Sequence, residues 1–167
     1  MIDWTLVIPE LRADWELVQA KLPYRYVPYM GYRSAGEQDA LFKAWQAGKG
    51  GRAAPAWESA HNFGLAIDVE PIVDGHGSWE PEHYKPLVDV LADHPTLRSG
   101  ASFSDSPHIE WRYPLGPWTR GSLALLPHVG QSELITRVWP LVRIMIQRVQ
   151  TGGSILGGGI QEDGGQS

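Results

Sequence analysis

The chain of 167 residues contains no cysteine. That excludes disulfide scaffolds, cysteine-ligated zinc or iron–sulfur sites and thiol catalysis, and it leaves His, Asp and Glu to hold any metal. Positive charge is in deficit as well. The 14 Lys and Arg stand against 19 Asp and Glu, a net charge of −5. A phosphate backbone calls for a basic face, so a nucleic-acid partner is not expected. Long apolar runs are missing too. The most apolar stretch, Val138 to Ile146, contains Pro140 and Arg143. It falls far short of the ~20 residues a spanning helix takes, so no stable membrane insertion is expected. The N-terminal MIDWTLVIPELRADW has no basic stretch followed by an apolar run. It does not read as a secretory signal, and a cytoplasmic product is expected.

What is present suits one globular domain, with 43% hydrophobic and 20% charged residues. Leu11, Trp15, Val18 and Leu22 follow helical spacing after Pro9. Tyr24 to Tyr29 reads as a short strand that Pro28 ends or confines to an edge. Ser34 with Glu37 forms a capping-box pattern, predicting a helix to about Gln46 with Leu41 and Trp45 on its buried face. Gly48 to Ala56 reads as a flexible loop. Leu65 to Val69 predicts a strand with Ala66 and Asp68 on one face and Leu65, Ile67 and Val69 on the other. Asp74 to Ser78 is a turn, and Pro81 to Asp93 a helix with Tyr84, Leu87, Val88 and Leu91 inward. Ala101 to Phe103 and His108 to Trp111 read as short strands, and the whole pattern as an α+β domain.

The C-terminal part differs. Leu134, Ile135, Val138, Val142, Met145, Ile146 and Val149 keep helical spacing over Ser132 to Gln150, and Pro140 is expected to kink or split that helix. It packs on its own domain, on a partner, or along a membrane interface, since no acidic residue follows Glu133 within it. Residues 151–167 hold seven glycines and have the composition of a mobile tail. The expected division is 1–120, a C-terminal helical extension at 121–150, and the Gly-rich tail at 151–167.

Two segments carry chemistry. Ser59 to Asp68 (SAHNFGLAID) places His61 seven residues before an Asp on a strand, and Asp105 to Trp111 (DSPHIEW) follows about forty residues later. A catalytic zinc typically takes three protein ligands and keeps a position for water. His61, Asp68 and His108 supply such a set, and Asp105 supplies a nearby base. Glu110, two residues beyond His108 on a strand, faces the same side. It either orients a ligand histidine or is a solvated strand carboxylate. Asp105 is also good turn chemistry within Ser-Asp-Ser-Pro, and Arg33 also suits an ion pair near a helix start.

These segments resemble the zinc peptidoglycan peptidases of the D-alanyl-D-alanine carboxypeptidase and L-alanyl-D-glutamate endopeptidase family, which includes vancomycin-resistance dipeptidases and phage endolysins. SxHxxGxAxD matches at Ser59, His61, Gly64, Ala66 and Asp68, and the second motif at Asp105 and His108. Gly31-Tyr32-Arg33-Ser34, with Glu37, Gln38 and Leu41, resembles the family's helix start. The resemblance covers about half the chain. It implies a small antiparallel sheet with flanking helices, like the hedgehog signalling domain, and one Zn2+ on His61, Asp68 and His108. It implies a base role for Asp105, an oxyanion or substrate-polarising role for Arg33, and substrate contacts for Ser59 and Gln38. Tyr32 and Trp111 are expected to line the cleft. Ala56-Trp57-Glu58 stands where relatives often have Pro-Gly, which puts Trp57 at the rim. Asp in the base position looks more like the endolysin branch. Trp79 and Trp118 are candidates for glycan contact, while His76, His83, His94 and His128 lie outside both motifs and read as loop or surface residues.

The leading expectation is a zinc-dependent L-alanyl-D-glutamate endopeptidase of peptidoglycan stem peptides. It would act as a phage endolysin, held in the host cytoplasm until a holin-like pore releases it to the cell wall and periplasm. The alternatives are a virion-associated peptidase that contacts tail proteins through the C-terminal helix and tail, a D,D-carboxypeptidase or dipeptidase, and a non-catalytic zinc-containing binding module.

Overall fold

Pro9 fixes a backbone angle suited to a first helical turn and opens α1 (Pro9–Gln19), which turns Leu11, Trp15 and Val18 inward. The computed structural model describes residues 2–111 and 131–150, apart from the side chains of 145, 146 and 148–150. Trp118, His128, the tail at 151–167 and the side chains of Met145, Ile146 and Val149 therefore lie outside the described residues. β1 (Arg25–Met30) follows α1, and its Pro28 is tolerated because β1 is an edge strand. The capping box forms as expected. Ser34 Oγ accepts from the Glu37 backbone N–H, and the Glu37 carboxylate accepts from the Ser34 N–H, opening α2 (Ala35–Gln46).

β2 (Ala66–Val73) and β5 (Asp105–Trp111) form the centre of an antiparallel sheet of order β1-β2-β5-β4, where β4 is Leu97–Gly100. A two-residue β3 (His76–Gly77) pairs with the end of β2. The β2–β5 register sets Asp68 opposite His108, Ile67 opposite Ile109, and Ala66 opposite Glu110. Because side chains alternate, one face carries Asp68, His108 and Glu110 while Ile67, Val69 and Ile109 enter the core. α1 and α3 (Pro81–Ala92) close that core, with Trp15 edge-on to Tyr26 and the Tyr26 hydroxyl donating to the His83 carbonyl at 2.6 Å. The α+β class and its small antiparallel sheet are as expected.

Three local expectations are corrected. Ala101–Phe103 is a 3-10 turn, not a strand. The strand lies just before it as β4, and Ser104 at φ 65° turns the chain into a β5 that starts at Asp105. Val88 is only half-buried. Most consequentially, α2 does not bury Leu41 and Trp45, which are 44% and 39% exposed. Its sole buried side chain is Gln38.

Pro140 does not split the C-terminal helix. Gln131–Glu133 passes into a π-helical turn, Leu134–Val138, and then α4 (Trp139–Gln150). Pro140 lacks an N–H and crowds the carbonyl four residues back, at Thr136, and the wider turn lies at that point. Leu134, Val138, Trp139 and Val142 join the core, and the Trp139 indole donates to the Phe63 carbonyl at 3.0 Å. Ile135, by contrast, is exposed. Among the described residues no helix is long and apolar enough to cross a membrane.

Gly64 links this core to the site. It sits at φ 65°, and a Cβ there would lie 2.3 Å from the Leu6 carbonyl oxygen. Gly64→Ala is expected to destabilise the fold by about 2–5 kcal/mol, adding left-handed strain to a backbone clash. Thermal unfolding checks this, and an unchanged midpoint would contradict the close approach.

Candidate metal centre

Three elements bring the sequence-predicted ligands to one point. Asp68 and His108 face each other across the two central strands. His61 arrives on a 3-10 turn (Ala60–Phe63) that Gly64 terminates in the left-handed conformation. Asn62 fastens this turn to its surroundings. Its Oδ1 accepts from the Trp57 N–H at 2.9 Å, and its Nδ2 donates to the Arg33 carbonyl at 2.8 Å. The Arg33 N–H in turn donates to the His61 carbonyl.

His61 Nε2, His108 Nδ1 and Asp68 Oδ1 stand 3.1 Å from one another, and all three residues are buried. Hydrogen bonds behind the rings decide what the facing atoms are. His61 Nδ1 lies 2.6 Å from the Gly31 carbonyl, which can only accept, so Nδ1 carries the proton and Nε2 a lone pair. His108 Nε2 lies 3.2 Å from a carboxylate oxygen of Glu110, which leaves His108 Nδ1 as the inward lone pair. Three acceptors thus converge in a largely buried setting, where unpaired polar atoms are costly, and a positive charge belongs among them. Donors about 2.0–2.2 Å from a tetrahedral zinc are about 3.2–3.6 Å apart, close to the spacing here. Among the described residues this is the one His/Asp/Glu group arranged to hold a metal ion.

In the metal-free chain a proton shares that place. Burial would lower the His108 pKa, but hydrogen bonds to Asp68 and Glu110 push it up to about 9. Burial would raise the Asp68 carboxyl, yet His61 and His108 hold it well below the usual carboxylate range. Glu110 is likewise held down, to about 2, by His108 and Arg98 against the effect of burial.

The centre forms the floor of a groove of about 890 Å³ whose lining includes Arg33, Ser59 and Asp105. Leu41, Phe42 and Trp45 of α2 form one wall, which explains why that apolar face is not in the core. The Arg33 guanidinium lies 3.7 Å from Asp68 Oδ2 and donates to Gln38 Oε1 at 2.9 Å. Asp105 is exposed to the groove, yet the protein packed around its carboxyl raises it above its ordinary value, with the charge of Asp68 adding to the effect.

Other predicted site residues are placed differently. The Gln38 side chain is 1% exposed, and its amide is already committed to Arg33 and, at 2.7 Å, to the Ala54 carbonyl. It lines the groove from there and positions Arg33 and the following loop. Trp111 is a core residue, 3% exposed, and Tyr32 packs against the core beside a separate shallow pocket with Met30 and Glu37. Trp57 packs on Phe63 at φ 69° instead of standing at the groove rim. Trp79 is exposed and stacks edge-on with Tyr29. His76 and His94 make turn hydrogen bonds as expected, whereas His83 is not a loop residue: it is half-buried in α3, with Nδ1 2.7 Å from the Ser78 hydroxyl. Arg98, which the sequence reading passed over, lies opposite Glu110 in the β4–β5 register and grips its carboxylate through Nε and Nη2. Its signal was hidden because it depends on β4, a strand placed elsewhere.

No protein-family model matches the sequence, and no curated protein matches it. Among solved structures, the crystal structure of the Serratia marcescens L-Ala D-Glu endopeptidase ChiX superposes with a TM-score of 0.51 at 22% identity. The match covers 64% of this chain and 81% of that one. The likeness shows a shared fold.

Proposed function

We propose that the protein is a zinc-dependent peptidase of bacterial peptidoglycan that cleaves stem peptides between L-alanine and a D-glutamate-type residue. One observation carries the reading: three buried acceptor atoms 3.1 Å apart form the floor of a groove that Asp105 and Arg33 also line. The fold shared with an endopeptidase supports it. Zn2+ on His61 Nε2, Asp68 Oδ1 and His108 Nδ1 would supply Lewis acidity, polarising a carbonyl and acidifying water. The chain does the rest. Asp105 takes the proton of the attacking water and returns it to the departing amine. The Arg33 guanidinium, fixed by Gln38, offsets the charge that develops on the carbonyl oxygen. Ser59, a largely buried residue of the groove lining, hydrogen-bonds the substrate backbone. Asp at the base position favours a phage endolysin acting in host lysis.

The test is digestion of purified peptidoglycan with mass spectrometry of the released ends. New D-glutamate-type N-termini that vanish with a chelator and return with Zn2+ are expected. Release of free D-alanine would replace the endopeptidase with a carboxypeptidase. Metal-loaded protein that produces no new ends would overturn the peptidase reading.

A further inference from the structure

We infer that Arg98 is a positioning residue of the metal centre: by clamping Glu110 it fixes the His108 ring with Nδ1, rather than a ring carbon, facing Asp68 and His61. The inference rests on reading the centre as a metal site. Glu110 is 2% exposed and divides its two oxygens. Oε1 accepts from Arg98 Nε at 2.6 Å and from Nη2, while Oε2 accepts from His108 Nε2 at 3.2 Å. The carboxylate cannot rotate without loosening both contacts. A half-turn of the imidazole about its Cβ–Cγ bond exchanges Nδ1 with Cδ2 and Nε2 with Cε1. The flipped ring would present carbon both to the centre and to Glu110, so a held Glu110 selects the productive orientation.

The two histidines are secured by different devices. His61 is held by the Gly31 carbonyl, a backbone group no side-chain substitution removes. His108 depends on an ion pair that bridges neighbouring strands at the register position Arg98–Glu110. The Arg98 side chain is one-third exposed along the groove, so truncating it removes the clamp without emptying core volume.

The experiment is Co2+ titration of the metal-free chain and its Arg98→Ala and Arg98→Lys variants, followed by competition with Zn2+. Arg98→Ala is expected to bind about 10–100-fold more weakly, the usual cost of losing a group that orients a ligand histidine. Its visible cobalt absorption should also change. Arg98→Lys, which keeps one donor but not the fork, should fall between the two. Excess Zn2+ should restore turnover in Arg98→Ala, which a general packing defect would not allow. Parental affinity and spectrum in Arg98→Ala would overturn the clamp while leaving the metal reading intact. A parent chain that binds no Co2+ would overturn the metal reading, and the clamp with it. Should Arg98→Ala lack native circular dichroism, Arg98→Lys decides: weakened binding supports the clamp, and parental binding overturns it.

Discussion

Asp105→Asn is expected to slow peptide hydrolysis by roughly 10²–10⁴-fold, the range that a positioned general base contributes, with metal affinity unchanged. The amide keeps the shape of the carboxyl but cannot take a proton. Asp105 stands in the groove lining, outside the set of atoms that converge on the centre, so its loss should separate chemistry from binding. Its surroundings also set a pH dependence. The carboxyl pKa is raised, chiefly by burial, so its working, deprotonated form is lost as pH falls through that elevated value. The acid limb of kcat should therefore be shifted upward from the ordinary aspartate value and should vanish in Asp105→Asn. Equal loss of zinc and of activity in the variant would instead make Asp105 a ligand.

Asp68→Ala is expected to abolish zinc binding at micromolar metal, a larger loss than the roughly 10–100-fold cost of removing an outer partner. Asp68 supplies the only negative charge among the three converging atoms, and it also faces Arg33. Without it, two neutral nitrogens remain opposite a guanidinium, which repels a cation. The same centre predicts a proton-linked affinity. His108 holds its proton up to about pH 9 in the metal-free chain, so metal must displace it across the neutral range. Affinity should rise with pH up to about 9 and fall in acid. Calorimetry in buffers of different ionisation heat would detect the released proton. Affinity that is flat between pH 6 and 8 would contradict the shared-proton picture.

Much of this was legible because it is local. The capping box needs only Ser34 and Glu37, and alternation alone put Asp68 on the face opposite Ile67 and Val69. The spacing of His61, Asp68 and His108 anticipated a cluster that the strand register assembles. What the sequence hid is tertiary. Periodicity shows that α2 has an apolar face, yet it does not say whether that face meets a core or a groove, and Leu41 and Trp45 meet the groove. Nor does the sequence show that the Gln38 amide, in the groove lining, is shared between Arg33 and the Ala54 carbonyl. Trp111 was expected to line the cleft, but it alternates with His108 and Glu110 along β5 and follows Ile109 into the core.

α2 buries a single side chain, and that side chain is polar. The helix is tied down by its cap and by the Gln38 amide, leaving positions 41, 42 and 45 outside the hydrophobic interior. Selection on what this groove recognises can therefore act almost independently of selection on whether the chain folds. A library randomised at those three positions should keep most of its members native while their binding preferences diverge, so this wall is where new specificities can be bred.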